Sequence, residues 1–195
     1  MRLPYVTDPV PTKTEEEAGI VERIRARREP RPLQALDLTL LHAPPIADGW
    51  NSFLGAVRTK NSLPDDVREL AISRIAVCNK AWYEWTHHAP LAVKGGVSEA
   101  GMEAIKQETL GERPAELTEK LWAVVLYTEE MTRNVQVKDE TFDALRTFFS
   151  EKEIVELTAT VACYNCVSRF LVALDGKSKH TIGERNATGP DSAYH

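Results

Sequence analysis

The hydrophobic pattern of this chain is organised around Pro64 to Gly96. Val67, Leu70, Ala71, Ile72, Ile75, Ala76 and Val77 cover most sides of a helix, which predicts a helix that is largely buried. Ser62 is its candidate N-cap, Pro64 suits the first turn, and Asp65 and Asp66 favour the positive end of the helix dipole. Glu69 and Arg74 interrupt the apolar surface, and a buried charge requires a partner. A second helical run carries Glu84 and His88 at i, i+4, on one face and within reach of each other. Gly95 and Gly96 end it, because glycine accepts the left-handed conformation at a helix terminus.

The rest of the chain reads as further helices. Residues 1–12 hold Pro4, Pro9 and Pro11 and are expected to be extended. Thr14 to Arg28 is charged and helix-prone, with Ile20, Val21 and Ile24 as a thin apolar stripe. That stripe is too narrow for a core helix, so this arm is expected to lie on the domain or on a neighbouring subunit. Its basic end, Arg23 to Arg28, fits a solvated face better than an anion site. Leu33 to His42 is a short apolar helix, and Pro44-Pro45 separates it from a helix over Ile46 to Lys60. In that helix Trp50, Phe53, Leu54 and Val57 have core spacing. His42 and Trp50 fit packing, with a ligand cavity as the alternative.

Ser98 caps a short helix to about Gln107, and Thr118 to Met131 forms a long one. Asp139 caps a helix through Phe149, and Ser150 with Glu153 forms a capping box for a last helix to Leu174. After Gly176 the tail is polar and expected to be poorly ordered. No stretch alternates with a strand period, so the predicted fold class is all-α. Arg68-Glu69-Leu70-Ala71 is echoed by Val155-Glu156-Leu157-Thr158. The echo suggests a duplicated helical unit in which Leu171 and Asp175 replace Glu84 and His88.

Composition narrows the function classes. The 195 residues, 43% hydrophobic and 27% charged, fit one globular domain with a sizeable core. The expected division is an arm over 1–32, a helical domain over 33–175 and a tail over 176–195. A net charge of -5 argues against a basic nucleic-acid surface but leaves room for a local cationic pocket. Three cysteines make no disulfide framework. The start has no apolar core of signal-peptide length and no run approaches membrane-spanning length, so a cytoplasmic protein is expected.

Arg68-Glu69-Leu70-Ala71-Ile72, Tyr83-Glu84-Trp85-Thr86-His87-His88 and Gly95-Gly96-Val97-Ser98 together resemble the carboxymuconolactone decarboxylase family. That family shares its helical fold with alkylhydroperoxidase D. Its peroxidase branch carries a glutamate, a CxxC pair and a histidine four residues after the second cysteine. On this chain the glutamate falls on Glu69 and the histidine on His88, while the cysteine positions fall on Ala81 and Glu84. The redox pair is absent from that place, and a decarboxylase-type Tyr-Glu-Trp stands there instead. The resemblance is clear over roughly residues 40–110. It implies an alkylhydroperoxidase D-like bundle, a homo-oligomer (dimer, trimer or hexamer) and chemistry without a cofactor.

The candidate chemistry follows from those residues. Loss of carbon dioxide leaves a carbanion or dienolate that must be protonated, and His88 is the candidate donor, with Glu84 orienting it or sharing its proton. An exposed Glu–His helix pair, worth a few tenths of a kcal/mol, is the plainer reading of the spacing. Glu69 is the third candidate catalytic group if it faces the same cavity; ion pairing with Arg68, Arg74 or Lys80 is its structural alternative. Arg74 is a candidate clamp for a substrate carboxylate, or else an internal salt bridge. Tyr83 and Trp85, with Trp82, could wall a pocket for a planar ring or simply pack. His87 points elsewhere than His88 and fits a pocket rim or a subunit contact. Adjacent histidines on a helix diverge, so no metal is expected.

Cys163-Tyr164-Asn165-Cys166 is a second CxxC, and the interval from Glu151 to Cys163 equals that from Glu69 to Ala81. A thiol peroxidase would attack with one thiolate and resolve with the other. Phe170 stands where the histidine is required, and the apolar surroundings favour cysteines that pack. Tyr164, Asn165 and Arg169 resemble a Tyr-Asn-x-x-x-Arg pattern of the decarboxylase branch, which places Asn165 near the pocket. The leading expectation is a cofactor-independent lyase acting on a small acidic lactone or cyclic keto acid. A thiol peroxidase and a non-catalytic binding or assembly protein are the alternatives.

Overall fold

A computed structural model of the chain describes residues 2–174; the expected polar tail and Asp175 lie outside the described residues. These residues form nine helices: α1 Glu15–Arg28, α2 Ala35–Leu40, α3 Pro44–Thr59, α4 Asp65–Cys78, α5 Trp82–Lys94, α6 Glu99–Ile105, α7 Glu119–Arg133, α8 Asp139–Arg146 and α9 Glu151–Leu174. The all-α expectation is correct: no strand occurs among the described residues.

α4 is the axis of the fold. It buries every residue from Val67 to Val77 except Arg68, and α5, α7 and α9 pack around it. Leu70, Ile72 and Ile75 are almost completely enclosed there, each stabilising the fold by about 1.5–3 kcal/mol relative to exposure. α5 returns antiparallel after a short link in which Lys80 takes φ 56°, a left-handed value that costs a non-glycine residue. The end of α5 runs against the start of α4 so closely that a Cβ on Gly95 would lie 2.7 Å from the Asp66 backbone nitrogen. Gly96, at φ 115°, makes the reversal. The two glycines thus do different jobs, one steric and one conformational.

Several expected caps fall elsewhere. α4 starts from Pro64 without a side-chain cap, and Ser62 instead binds Glu156 of α9 through Oγ at 2.6 Å. Lys138, not Asp139, is the N-cap of α8, and Asp139 sits in its first turn. Ser98 and the Ser150–Glu153 pair cap as expected, and Thr118, expected inside the helix, is the N-cap of α7. In the echo of Glu69, Glu156 thus joins α9 to the α3–α4 connection and lies in no buried pair.

The arm is part of the folded body. Ile20, Val21 and Ile24 of α1 are buried with Leu33, Leu40, Leu41 and Ala47 in a second apolar cluster, on this same chain. The stripe suffices because α1 lies flat on α3, with ion pairs flanking it. Arg28 makes a two-pronged pair with the buried Asp37 at 2.7 Å, and Arg23 pairs with Asp48 at 2.8 Å. The basic end is therefore largely paired, and not merely solvated. His42 Nε2 donates to the Pro4 carbonyl, 2.7 Å away, pinning the N-terminal segment.

α9 corrects a sequence expectation. By length and composition alone it could cross a membrane. Its apolar residues are instead used for packing: Leu157, Val161, Cys163, Tyr164 and Val167 are buried against α3, α4 and α7.

Candidate functional site

Glu69 and His88 meet where α4 and α5 pack. His88 donates from Nδ1 to Glu69 Oε2 across 2.6 Å, and both are buried, at 7% and 3% exposure. Arg68 supports the other oxygen of Glu69 at 3.3 Å. Burial pushes the Glu69 carboxyl upward, but the hydrogen bond and charge of His88, with Arg68 and Arg58, outweigh it and leave its pKa below the ordinary value. Burial dominates at His88 and pulls its pKa down despite Glu69. At neutral pH the pair is thus a carboxylate and a neutral imidazole, with the proton on Nδ1. That assignment leaves the Nε2 lone pair as a proton acceptor.

Glu84 does not pair with His88. It is buried, at 3% exposure, and neither carboxyl oxygen has a hydrogen-bond partner. Burial alone raises its pKa to about 8, so it is a neutral acid at neutral pH. The expectation that Glu84 orients a protonated His88 is therefore corrected on both counts. Glu69 accepts the imidazole hydrogen bond because it lies directly across the helix packing, and burial outweighs its charge at His88.

Tyr164 of α9 is the common neighbour. Its ring stands edge-on to His88, with centroids 5.0 Å apart. Burial raises its hydroxyl pKa, and the charges of Glu69 and Glu84 both act in the same direction. The hydroxyl is buried without a hydrogen-bond partner. Three orphaned polar atoms, two on Glu84 and one on Tyr164, thus lie in the same region of the protein interior. Such atoms are uncommon in folded proteins and mark places where a polar ligand can bind.

The remaining predicted site residues lie elsewhere. Arg74 is fully buried but holds the structure: it pairs with Glu129 at 2.7 Å and donates to the carbonyls of Ile105, Gln107 and Glu108. With four of its five N–H donors engaged and its side chain enclosed, Arg74 fits the internal salt bridge and not a substrate clamp. Tyr83 and His87 are exposed, with ring centroids 4.2 Å apart, and His87 Nδ1 meets the Tyr83 carbonyl. Trp85 packs against the main core with Lys106 over its ring. Asn165 is directed to Asn79 and Thr132, tying α9 to α4 and α7. Among the described residues no three His, Cys, Asp or Glu side chains gather in a metal-binding group.

A groove of about 300 Å³ opens between α3 and α9, lined among others by Trp50, Phe53, Leu54, Cys163 and Val167. Cys163 joins this groove to the buried cluster, since the charges of Glu84 and Arg58 both act on its thiol. Burial first, then its neighbours, pushes that thiol up to about 12, the opposite of what an attacking thiolate needs. Phe170 packs against Trp50 and supplies no proton relay. Sequence reading missed Arg58 because its neighbours in the site come from distant helices.

The sequence pattern of the carboxymuconolactone decarboxylase family matches residues 44–130, which include Glu69, Glu84 and His88. No curated protein sequence matches the chain. Among solved structures, the fold is similar to a protein of unknown function from Agrobacterium tumefaciens, described as a candidate antioxidant-defence protein AhpD. The TM-score is 0.61 at 22% identity, covering 72% of this chain and 94% of that one. It is also similar to a variant of the debrominase Bmp8 in complex with 2,3,4-tribromopyrrole, with TM-score 0.66, 17% identity, and 85% and 88% coverage. An uncharacterized peroxidase-related protein from Silicibacter sp. TM1040 gives TM-score 0.67 at 14% identity, with 88% and 90% coverage. At such identities these likenesses speak for the fold alone. Residues 44–130 thus match the carboxymuconolactone decarboxylase family model, and the helical fold is similar to that of alkylhydroperoxidase D-like proteins.

Proposed function

We propose that the protein is a cofactor-independent carboxy-lyase acting on a small acidic lactone or cyclic keto acid. The observation that carries this reading is the opposed protonation of two buried neighbours on α5. Glu84 is a neutral acid without a partner, and His88 is a neutral imidazole held by Glu69. One group can give a proton and the other can take one, the division of labour that acid–base catalysis requires.

In the reaction the bond between the ring and the substrate carboxylate breaks. Its electron pair stays on the ring as a dienolate, and carbon dioxide leaves. The Glu84 hydroxyl then delivers its proton to the ring carbon, and the resulting carboxylate recovers a proton from water. His88 Nε2 accepts a hydrogen bond from the substrate, and Glu69 fixes the tautomer that exposes it. The Tyr164 hydroxyl donates to the developing enolate oxygen. The sequence expectation made His88 the donor; the burial of Glu84 transfers that role to the carboxyl.

The test is release of carbon dioxide from a panel of small carboxylated lactones and cyclic keto acids. The wild type is expected to turn over at least one of them, with Glu84→Gln slower by about 10²–10⁴-fold. Full activity in Glu84→Gln would remove the carboxyl from the mechanism, and silence across the whole panel would reject the lyase reading.

A further inference from the structure

Cys163 and Cys166 stand three residues apart within α9, both as free thiols, and the chemistry proposed above uses neither. Both line the groove between α3 and α9. Cys163 is enclosed there at 2% exposure, and Cys166 is exposed. The helix decides what such a pair can do. Side chains three apart on a helix have Cβ atoms about 5–6 Å from each other. A disulfide needs them about 3.5–4.5 Å apart. While α9 stays helical the two sulfurs are therefore too distant for a direct bond. One soft atom between them closes the gap, with two bonds of about 2.3 Å, the length of a zinc–sulfur bond. A four-coordinate metal is not served: among the described residues no His, Cys, Asp or Glu joins the two thiols in a group of three.

The groove narrows the choice further. Its volume of about 300 Å³ is at the small end of the range for small-molecule sites. Apart from the thiols its lining is apolar, with Ile46, Trp50, Phe53 and Leu54 on α3 facing Val167 on α9. Ile46 and Phe53 are exposed despite being large and apolar. A charged bridging species would lose its hydration here with no charged side chain in the lining to replace it. A neutral centre that bonds to two sulfurs and carries one apolar group avoids that cost and fills the groove.

We propose that Cys163 and Cys166 form a dithiol site for a trivalent organoarsenic compound, with arsenic bridging the two sulfurs and its apolar group seated between α3 and α9. In water the arsenic carries two hydroxyl groups. Each arsenic–oxygen bond breaks as an arsenic–sulfur bond forms, and each thiol proton leaves with a hydroxyl as water. Arsenic stays trivalent, so no oxidant or reductant is needed. Cys166 reacts first because it is exposed, and the second bond then forms within one molecule at high effective concentration. Burial pushes the Cys163 thiol up to about 12 and so opposes a free thiolate there, but the bridged product carries no charge for burial to oppose. The site shares no residue with Glu69, Glu84 and His88, and it stands or falls apart from the lyase reading.

The probe is phenylarsine oxide, added to the folded wild type, Cys163→Ala, Cys166→Ser and Gly49→Leu, and read by intact-protein mass in excess 2-mercaptoethanol. The monothiol strips arsenic held by one sulfur and leaves arsenic held by two. One adduct is expected on the wild type and none on either cysteine variant. Gly49 lines the groove with open space before it, so a leucine there occupies the place of the phenyl ring, and helix propensity favours the change. Gly49→Leu should bind roughly ten-fold more weakly, since it denies the ring its apolar contact. Because binding to the folded state stabilises it, the reagent should also raise the urea midpoint of the wild type and leave that of Cys166→Ser unchanged. A wild type stripped by the monothiol, an adduct that persists in either cysteine variant, full affinity in Gly49→Leu, or a urea midpoint lowered by the reagent overturns the proposal. The last result would mean that the thiols are bridged only in the unfolded chain.

Discussion

His88 Nδ1 on α5 donates to Glu69 Oε2 on α4 across 2.6 Å, and Glu84, one turn before His88, is left with no partner. One hydrogen bond between two helices thus divides three candidate groups into a carboxylate bound to a neutral imidazole and a neutral acid without a partner. The chemistry available to the site follows from that division.

Glu69→Gln should lower the pKa of His88 further. The hydrogen bond and charge of Glu69 are what oppose the effect of burial at His88. Titration of the His88 ring by NMR is the measurement, and a rise would contradict the assignment. Loss of the charge-assisted bond should also cost about 1.5–3 kcal/mol in urea unfolding.

Glu84 makes stability depend on pH in a direction unusual for a carboxylate. Its folded pKa is about 8 against an ordinary 4.5, so between those values the folded protein holds a proton that the unfolded chain has released. Stability from this group is full below 4.5 and is lost as pH rises towards 8 and beyond. The loss is on the order of 4 kcal/mol between about pH 4 and pH 9. Glu84→Gln mimics the neutral acid and should remove that slope. Urea midpoints of both proteins across this range decide it, and parallel curves would mean that Glu84 is not held neutral.

His88 and Glu69 act with the opposite sign. Both have folded pKa values below their ordinary 6.5 and 4.5, so their contributions are present above those values and are lost as pH falls. His88→Gln should therefore be less sensitive than the wild type to acidification below about pH 6.5. Equal acid sensitivity of the two proteins would count against a neutral His88.

Arg74→Ala should destabilise the protein by roughly 3–5 kcal/mol, because it strips a buried guanidinium from Glu129 and three carbonyls. Urea unfolding midpoints of the two proteins are the measurement. An unchanged midpoint would mean that these contacts hold little and would restore Arg74 as a candidate anion clamp.

Thiol labelling separates the cysteines. Cys166 is exposed and should react with iodoacetamide in the folded protein. Cys163 and Cys78, both pushed up to about 12 with burial as the main cause, should react only on unfolding. Rapid formation of a Cys163–Cys166 disulfide on adding peroxide, read by mass, would revive the thiol peroxidase.

Much of this molecule was legible in one dimension. The i, i+3, i+4 pattern of Val67 to Val77 announced a helix apolar on most sides, and α4 is that helix. The same reading singled out Glu69, Glu84 and His88, since charged or titratable groups in a buried run are conspicuous. It undervalued the Ile20–Ile24 stripe, because three residues look insufficient until α3 lies flat across them. It left Arg74 open between a clamp and an internal salt bridge and did not name its partner, because that carboxylate, Glu129, is 55 residues away. It passed over Arg58, whose charge matters only through neighbours on α4, α5 and α9.

By itself, then, the sequence determined the helices, the class of fold and the face of α5 on which Glu84 and His88 stand. Periodicity along one chain carries that information, because a helix repeats its own geometry. Only the tertiary structure decided which acid accepts the imidazole hydrogen bond, which acid stays neutral, and which arginine is spent on structure. Those outcomes depend on distances between helices and on the exclusion of water, and neither is set by spacing within a single element.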